Sequence, residues 1–219
     1  MKLIYFFVIL ITYFTFGQNV KDSIKNNSNS FEDKIKQEIE NNTSPYFYQK
    51  LLNKIKSEPE KINKEDIKYL YYGQIYKQET GLSFLDNPDE EDFRKAVYQN
   101  NCKKILKFGY QNLDKNPVQL TILVPICNCQ IERKIIDKNK LENRLKMILE
   151  TIFSTGDGKT IETAIKIANI EDDLVLNGIL EFKDGKEKLG GSKDKIYSIW
   201  DNGKEKIYYE DSWNYKYRD

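Results

Sequence analysis

Ser154-Thr155-Gly156-Asp157-Gly158-Lys159-Thr160-Ile161-Glu162-Thr163-Ala164 separates two kinds of pattern in this 219-residue chain. Before it, apolar residues recur at helical spacing. After it, they alternate as in strands. Gly156 and Gly158, with Asp157 between them, cannot continue a helix and suit a tight turn. The sequence therefore predicts an α+β fold, with a helical region over 44–153 and a small antiparallel β-rich region over 154–219 packed on the helices.

Working back from that seam, Leu145, Ile148, Leu149 and Ile152 give a helix over 141–153 its inward stripe. Asn116-Pro117 ends one helix (Cys102, Ile105, Leu106, Gly109, Tyr110 and Leu113 inward) and starts another (Leu120, Leu123, Val124 and Cys127), which Pro125 should bend. Asn87-Pro88 opens a helix with acids in its first turn, where the helix dipole favours them. Asn63 with Asp66 reads as a helix start, and Tyr71-Tyr72-Gly73 falls within that helix. A mid-helix glycine costs about 1 kcal/mol against alanine, so Gly73 should admit a close neighbouring helix. Ser44-Pro45 predicts another start, with Pro at the first helical position. Residues 18–43 read as a flexible arm and a short helix opened by Ser30 and Asp33. The succession fits either a tetratricopeptide-like array or an irregular bundle.

Forward of the seam, Ile165, Ile167 and Ile170, then Leu174 to Leu176 and Ile179-Leu180, read as strand-like segments. Asn202-Gly203 predicts a two-residue hairpin turn that sets Ser198 opposite Ile207 and Trp200 opposite Glu205. Asp184-Gly185 is a candidate for a second hairpin.

Met1 to Gly17 reads as a signal peptide: Lys2, an apolar run from Leu3 to Phe16 short for a membrane span, and small residues before a cut at Gly17-Gln18. No cysteine follows the run. Loss of Lys2 from 35 basic residues leaves 34 against 34 acidic ones. A neutral mature protein has no field to steer it to a membrane or to nucleic acid, and no basic block marks a nucleic-acid patch. Neither stable membrane insertion after cleavage nor nucleic-acid binding is expected, and the oligomeric state stays open.

The chain has no histidine, which excludes Ser-His and Cys-His dyads and His-ligated zinc. Gly158-Lys159-Thr160 superficially suggests a phosphate loop, but that motif needs glycine where Phe153 stands, and a strand where a helix precedes it. Three cysteines in an exported chain admit a disulfide from Cys102 to Cys127 or Cys129. Hairpin geometry favours Cys129, and apolar periodicity favours Cys127. The alternative is three small buried hydrophobes. Tyr197, Trp200, Tyr208, Tyr209, Trp213, Tyr215 and Tyr217 suit either a sugar-binding platform or ordinary strand packing. The acid pairs Glu90/Glu91 and Asp172/Asp173 suit either a glycosidase or, as is usual for adjacent acids, solvated surface. No catalytic, cofactor-binding or metal residue is assigned.

Leu70-Tyr71-Tyr72-Gly73, the Ile105 to Leu120 stretch through Asn116-Pro117, and Ser154 to Ala164 together resemble the bacterial envelope domain-of-unknown-function family 4919. Gly156, Asp157, Gly158, Lys159, Thr163 and Ala164 match its Ser-Gly-Asp-Gly-Lys and Glu-Thr-Ala wording, with Thr155 inserted. The resemblance implies an exported protein with a helical part and a small β part. It carries no activity, cofactor or catalytic residue. The expected function is a non-catalytic module that binds another envelope protein through a helical groove. The alternative is a carbohydrate-binding or carboxylate-based hydrolytic protein.

Overall fold

The computed structural model describes residues 30–77, 88–133, 139–191 and 195–211. Residues 1–17, read above as a signal peptide, most of the arm, the loop before Pro88, and Trp213, Tyr215 and Tyr217 lie outside the described residues. The fold is α+β. Among the described residues, seven α-helices, α1 (Phe31–Glu40), α2 (Tyr48–Ser57), α3 (Lys64–Gly73), α4 (Pro88–Tyr98), α5 (Cys102–Lys115), α6 (Leu120–Arg133) and α7 (Asn139–Phe153), precede β1 (Ile165–Lys166). Helix α8 (Asp172–Ile179) and strands β2 (Lys186–Gly191), β3 (Ile196–Asp201) and β4 (Lys206–Glu210) follow. Among the described residues no helix is long and apolar enough to cross a membrane.

Local chemistry sets the helix starts. Asn63 accepts from the Asp66 backbone while Asp66 accepts from that of Asn63, so two orphan N–H groups at the start of α3 are satisfied reciprocally. Lys54 reaches the same Asp66 carboxylate at 2.6 Å and ties α2 to α3. Asn101 caps α5 by accepting from the Lys104 backbone. The predicted start at Ser44-Pro45 is instead a turn. The Ser44 hydroxyl accepts from the Tyr46 backbone there, and α2 begins only at Tyr48.

The helices form an irregular bundle rather than an open array. Helix α4 packs on α5, α5 on α6 and α6 on α7, and α7 returns to α3, which α1 and α2 also cover. In a solenoid each repeat meets only its sequence neighbours, so the return to α3 rules out that alternative. Gly73 lies where α1 and α2 meet α3. A Cβ there would stand 3.0 Å from Ile39 and 3.2 Å from Tyr48.

The sheet runs β1-β4-β3-β2 and is mixed, since β1 lies parallel to β4. The hairpin register differs from the predicted one by two residues: Ser198 faces Tyr209, and Trp200 faces Ile207. Asn202 causes this. Its side chain accepts from the backbones of Lys204 and Glu205, which widens the turn to four residues. An even slip keeps each side chain on its face.

Residues 172–179 are helix, not strand. Leu176 is buried, with Val175 and Ile179 packed beside it, and Asp172 and Asp173 occupy a first turn where the dipole favours acids. A short apolar run reads either way from sequence alone. Asp184-Gly185 leads into β2 and turns no hairpin. One continuous core joins the helices to Ile165, Ile167 and Tyr209 of the β part.

Candidate functional site

Most of the positions that carry the resemblance build the joint between the two halves. Tyr71, fully buried, donates to Asp172 at 2.7 Å and accepts from the Ala168 backbone at 3.1 Å. Tyr72 donates to the Lys166 carbonyl. Asn116 donates to Gln74, whose amide in turn donates to the Tyr71 carbonyl, and it also accepts from Val118 across Pro117. In the seam loop a Cβ on Gly156 would lie 2.2 Å from the Thr163 carbonyl oxygen. Gly158, at φ +70°, donates to Thr163 and accepts from Tyr208. Asp157 accepts from the Thr163 hydroxyl and the Lys159 backbone, and these bonds hold its carboxyl below the usual range. Lys159 projects into solvent beside Asp157. These positions do not converge on a single pocket. They position the strands.

At the centre of the joint, Asp172 and Asp173 are only 1% and 2% exposed. The sequence expectation of solvated surface acids fails because α8 turns both inward. Asp173 accepts from Ser198 at 2.5 Å and Trp200 at 2.9 Å, and Tyr209 donates to Asn177. One oxygen of Asp172 has no hydrogen-bond partner. Burial pushes the Asp172 carboxyl up to about 7, and the Asp173, Asp211 and Glu171 carboxylates add to the rise. No group of three or more His, Cys, Asp or Glu side chains suited to a metal ion occurs among the described residues.

Two concavities flank this joint. The larger, about 750 Å³, is lined by Phe31 and Tyr72, by the seam residues Ser154 and Thr155, and by Lys68 and Lys166. Its cations are occupied: Lys68 pairs with Glu65 at 2.9 Å, and Lys166 bridges Glu32 and Glu210 at 2.9 and 3.0 Å. Its hydroxyls are spent too, since Ser154 and Thr155 donate to carbonyls of α7 and Tyr72 donates to Lys166.

The smaller concavity, about 290 Å³, is a groove between α4 and the start of α6, closed at one side by Glu171. Phe93 and Ile122 form its floor, and both are buried. Val97 and Tyr98 stand at its rim, with Tyr98 94% exposed. Gln119, 7% exposed, lines it and makes no side-chain hydrogen bond among the described residues. Burial raises the Glu90 carboxyl, Arg94 opposes that rise, and Glu171 adds to it. Sequence reading singled out Glu90 but missed Gln119, Glu171 and Tyr98. One signal was available. Phe93 and Ala96 make the buried stripe of α4, and Tyr98 falls off it on the helical wheel.

Cys102 and Cys129 are joined as a disulfide, with Cα atoms 5.3 Å apart, and it pins α5 to α6. Cys127 is a buried thiol, and burial pushes it up to about 12. The sheet splits the described aromatics between its faces. Tyr197 and Tyr208 share one face, and Trp200 and Tyr209 share the other, where Tyr209 is fully buried. These four form no single exposed platform.

The family model described as "Domain of unknown function (DUF4919)" matches residues 33–213. No curated protein and no solved structure matches the chain. The match runs from α1 through both concavities, the joint and the whole sheet, so the chain belongs to the DUF4919 family.

Proposed function

We propose that this protein is an exported, non-catalytic module that binds another envelope protein through the groove between α4 and α6. The observation that carries the reading is Tyr98, an almost fully exposed aromatic beside Val97 over the buried floor of Phe93 and Ile122. Aromatic side chains at the rim of an apolar depression are the usual anchors of protein contacts. Export rests on the leader-like Met1 to Gly17 segment and is tested by the intact mass of the mature protein, expected to begin at Gln18. A photo-crosslinking residue placed at Tyr98, and at Lys188 on β2 as a control, tests the partner. One stoichiometric adduct from position 98 in the envelope fraction, absent from position 188, is the expected result. No adduct at 98 from an abundant, folded protein overturns the reading.

A carboxylate-based hydrolytic role has one observation in its favour: Glu90 is raised and sits near Glu171. A raised acid beside a second carboxylate is the pairing glycosidases use. Release of sugars from cell-wall polysaccharide, abolished by Glu90→Gln, would replace the binding reading with this one.

A further inference from the structure

We propose that Asn202-Gly203 is a self-modifying site, at which the Gly203 nitrogen attacks the Asn202 side-chain amide and converts it, through a cyclic imide, to aspartate and isoaspartate. The inference goes beyond the binding reading and stands without it. Three features of the β3–β4 turn favour that step.

The first is the nucleophile. A backbone amide attacks only as it gives up its proton, and the Gly203 N–H already donates to an Asp201 carboxylate oxygen at 2.8 Å. That bond, with Lys206 beside it at 3.2 Å, holds the Asp201 carboxyl below its usual range, so it is ionised at neutral pH. The second is the electrophile. The Asn202 side-chain oxygen accepts from the backbone N–H groups of Lys204 and Glu205, both at 3.0 Å. Two such donors on one carbonyl form an oxyanion hole for the charge that attack at Cγ develops. The third is access. Gly203 is exposed, and a Cβ there would meet nothing within 4 Å, so no side chain crowds the nitrogen.

In the step itself the Gly203 nitrogen bonds to Asn202 Cγ and passes its proton to Asp201. The Cγ–Nδ2 bond breaks, and Nδ2 takes up a proton as ammonia leaves. Water then opens the imide at Cγ to give aspartate, or at the backbone carbonyl to give isoaspartate. The other Asn-Gly pair is the internal contrast. Asn177 is 5% exposed, its oxygen accepts from the neutral Tyr209 hydroxyl, and the Gly178 nitrogen lies within α8. Conversion at Asn202 bears on the sheet, because the bonds of its side chain set the β3–β4 register. An isoaspartate there lengthens the main chain of the turn by a methylene group.

The test follows the purified protein at neutral pH by ammonia release and by peptide mapping, which separates the asparagine, aspartate and isoaspartate forms of the peptide holding residue 202. Conversion should be confined to Asn202, yield both acids, and run faster in the folded protein than in urea. Asp201→Ala should slow it by about tenfold or more, the scale of a positioned base. Lys206→Ala removes the ion pair of Asp201 but leaves the bond to Gly203, and should not slow it. Circular dichroism checks that both variants fold, and the comparison with urea needs no variant. The inference is overturned by conversion as fast in urea as in the folded protein, or by conversion at Asn177 ahead of Asn202. It is equally overturned if Asp201→Ala keeps the wild-type rate, or if Lys206→Ala slows the reaction as much as Asp201→Ala does.

Discussion

Asp172→Asn should flatten the pH dependence of stability. In the folded protein the Asp172 carboxyl rises from the usual 3.8 to about 7. The folded state therefore binds this proton more tightly than the unfolded chain does. Below about pH 4 both states are protonated, and the contribution of Asp172 to stability is fully present. It is lost as pH rises, and is gone above the folded value near 7. A span of about three units at 1.36 kcal/mol each gives about 4 kcal/mol as the ceiling of the loss. Asparagine keeps an oxygen to accept from Tyr71 and places an amide at the oxygen that has no partner, so it mimics the protonated acid. Urea unfolding of both proteins at about pH 5 and about pH 8, a window that covers about two of those three units, followed by far-UV circular dichroism, should show the variant gaining on the wild type by on the order of 2–3 kcal/mol as pH rises. In melting temperature that is roughly 4–12 °C for a domain of this size. Titrating groups that do not interact with Asp172 are common to both proteins and cancel in the difference. Parallel curves, or a variant that falls further behind at high pH, would refute a neutral Asp172 in the fold.

Two glycines predict opposite signs. Gly156→Ala drives a Cβ to within 2.2 Å of a backbone oxygen and should destabilise by at least about 2 kcal/mol. Gly178→Ala, in α8 with nothing within 4 Å of the new methyl, should stabilise by about 0.5–1 kcal/mol in the same chemical unfolding assay. Alkylation of the unreduced, denatured protein should label one thiol, Cys127, and three after reduction. Removing the bridge with Cys102→Ser and Cys129→Ser should cost about 3–4 kcal/mol from the loop it closes, read as a drop in urea midpoint.

The helices before the seam were legible because each carries its own signal. Asn63 with Asp66 and the stripe from Leu145 to Ile152 are local patterns, and the structure places them as read. The seam was legible because glycine spacing is local too. What escaped was decided at long range or by a single side chain. Asp172 and Asp173 look like surface acids until Tyr71, 101 residues away, and Ser198 come to meet them. The hairpin register turned on Asn202 accepting two backbone bonds rather than one turn type winning over another. The groove was invisible for the same reason, since Phe93, Gln119 and Glu171 come from three segments.

The joint and the groove meet at one peptide bond, which makes their coupling testable. Glu171 is the residue before Asp172, so the Glu171 side of the groove is held by whatever anchors the first turn of α8. Tyr71 is a principal anchor, since it binds the Asp172 carboxyl and the Ala168 backbone on the approach to α8. Tyr71→Phe removes both bonds without touching the groove. Leaving two buried polar groups unpartnered should cost roughly 2–4 kcal/mol by urea unfolding. It should also loosen the start of α8, read as added motion of the Glu171 amide in NMR relaxation. Tyr72→Phe is the control. It removes the bond to the Lys166 carbonyl, on the other side of the joint, and should cost about 1 kcal/mol with the Glu171 amide as rigid as in the wild type. If both variants leave the Glu171 amide as rigid as in the wild type, Glu171 is positioned by the groove itself and the joint serves stability alone.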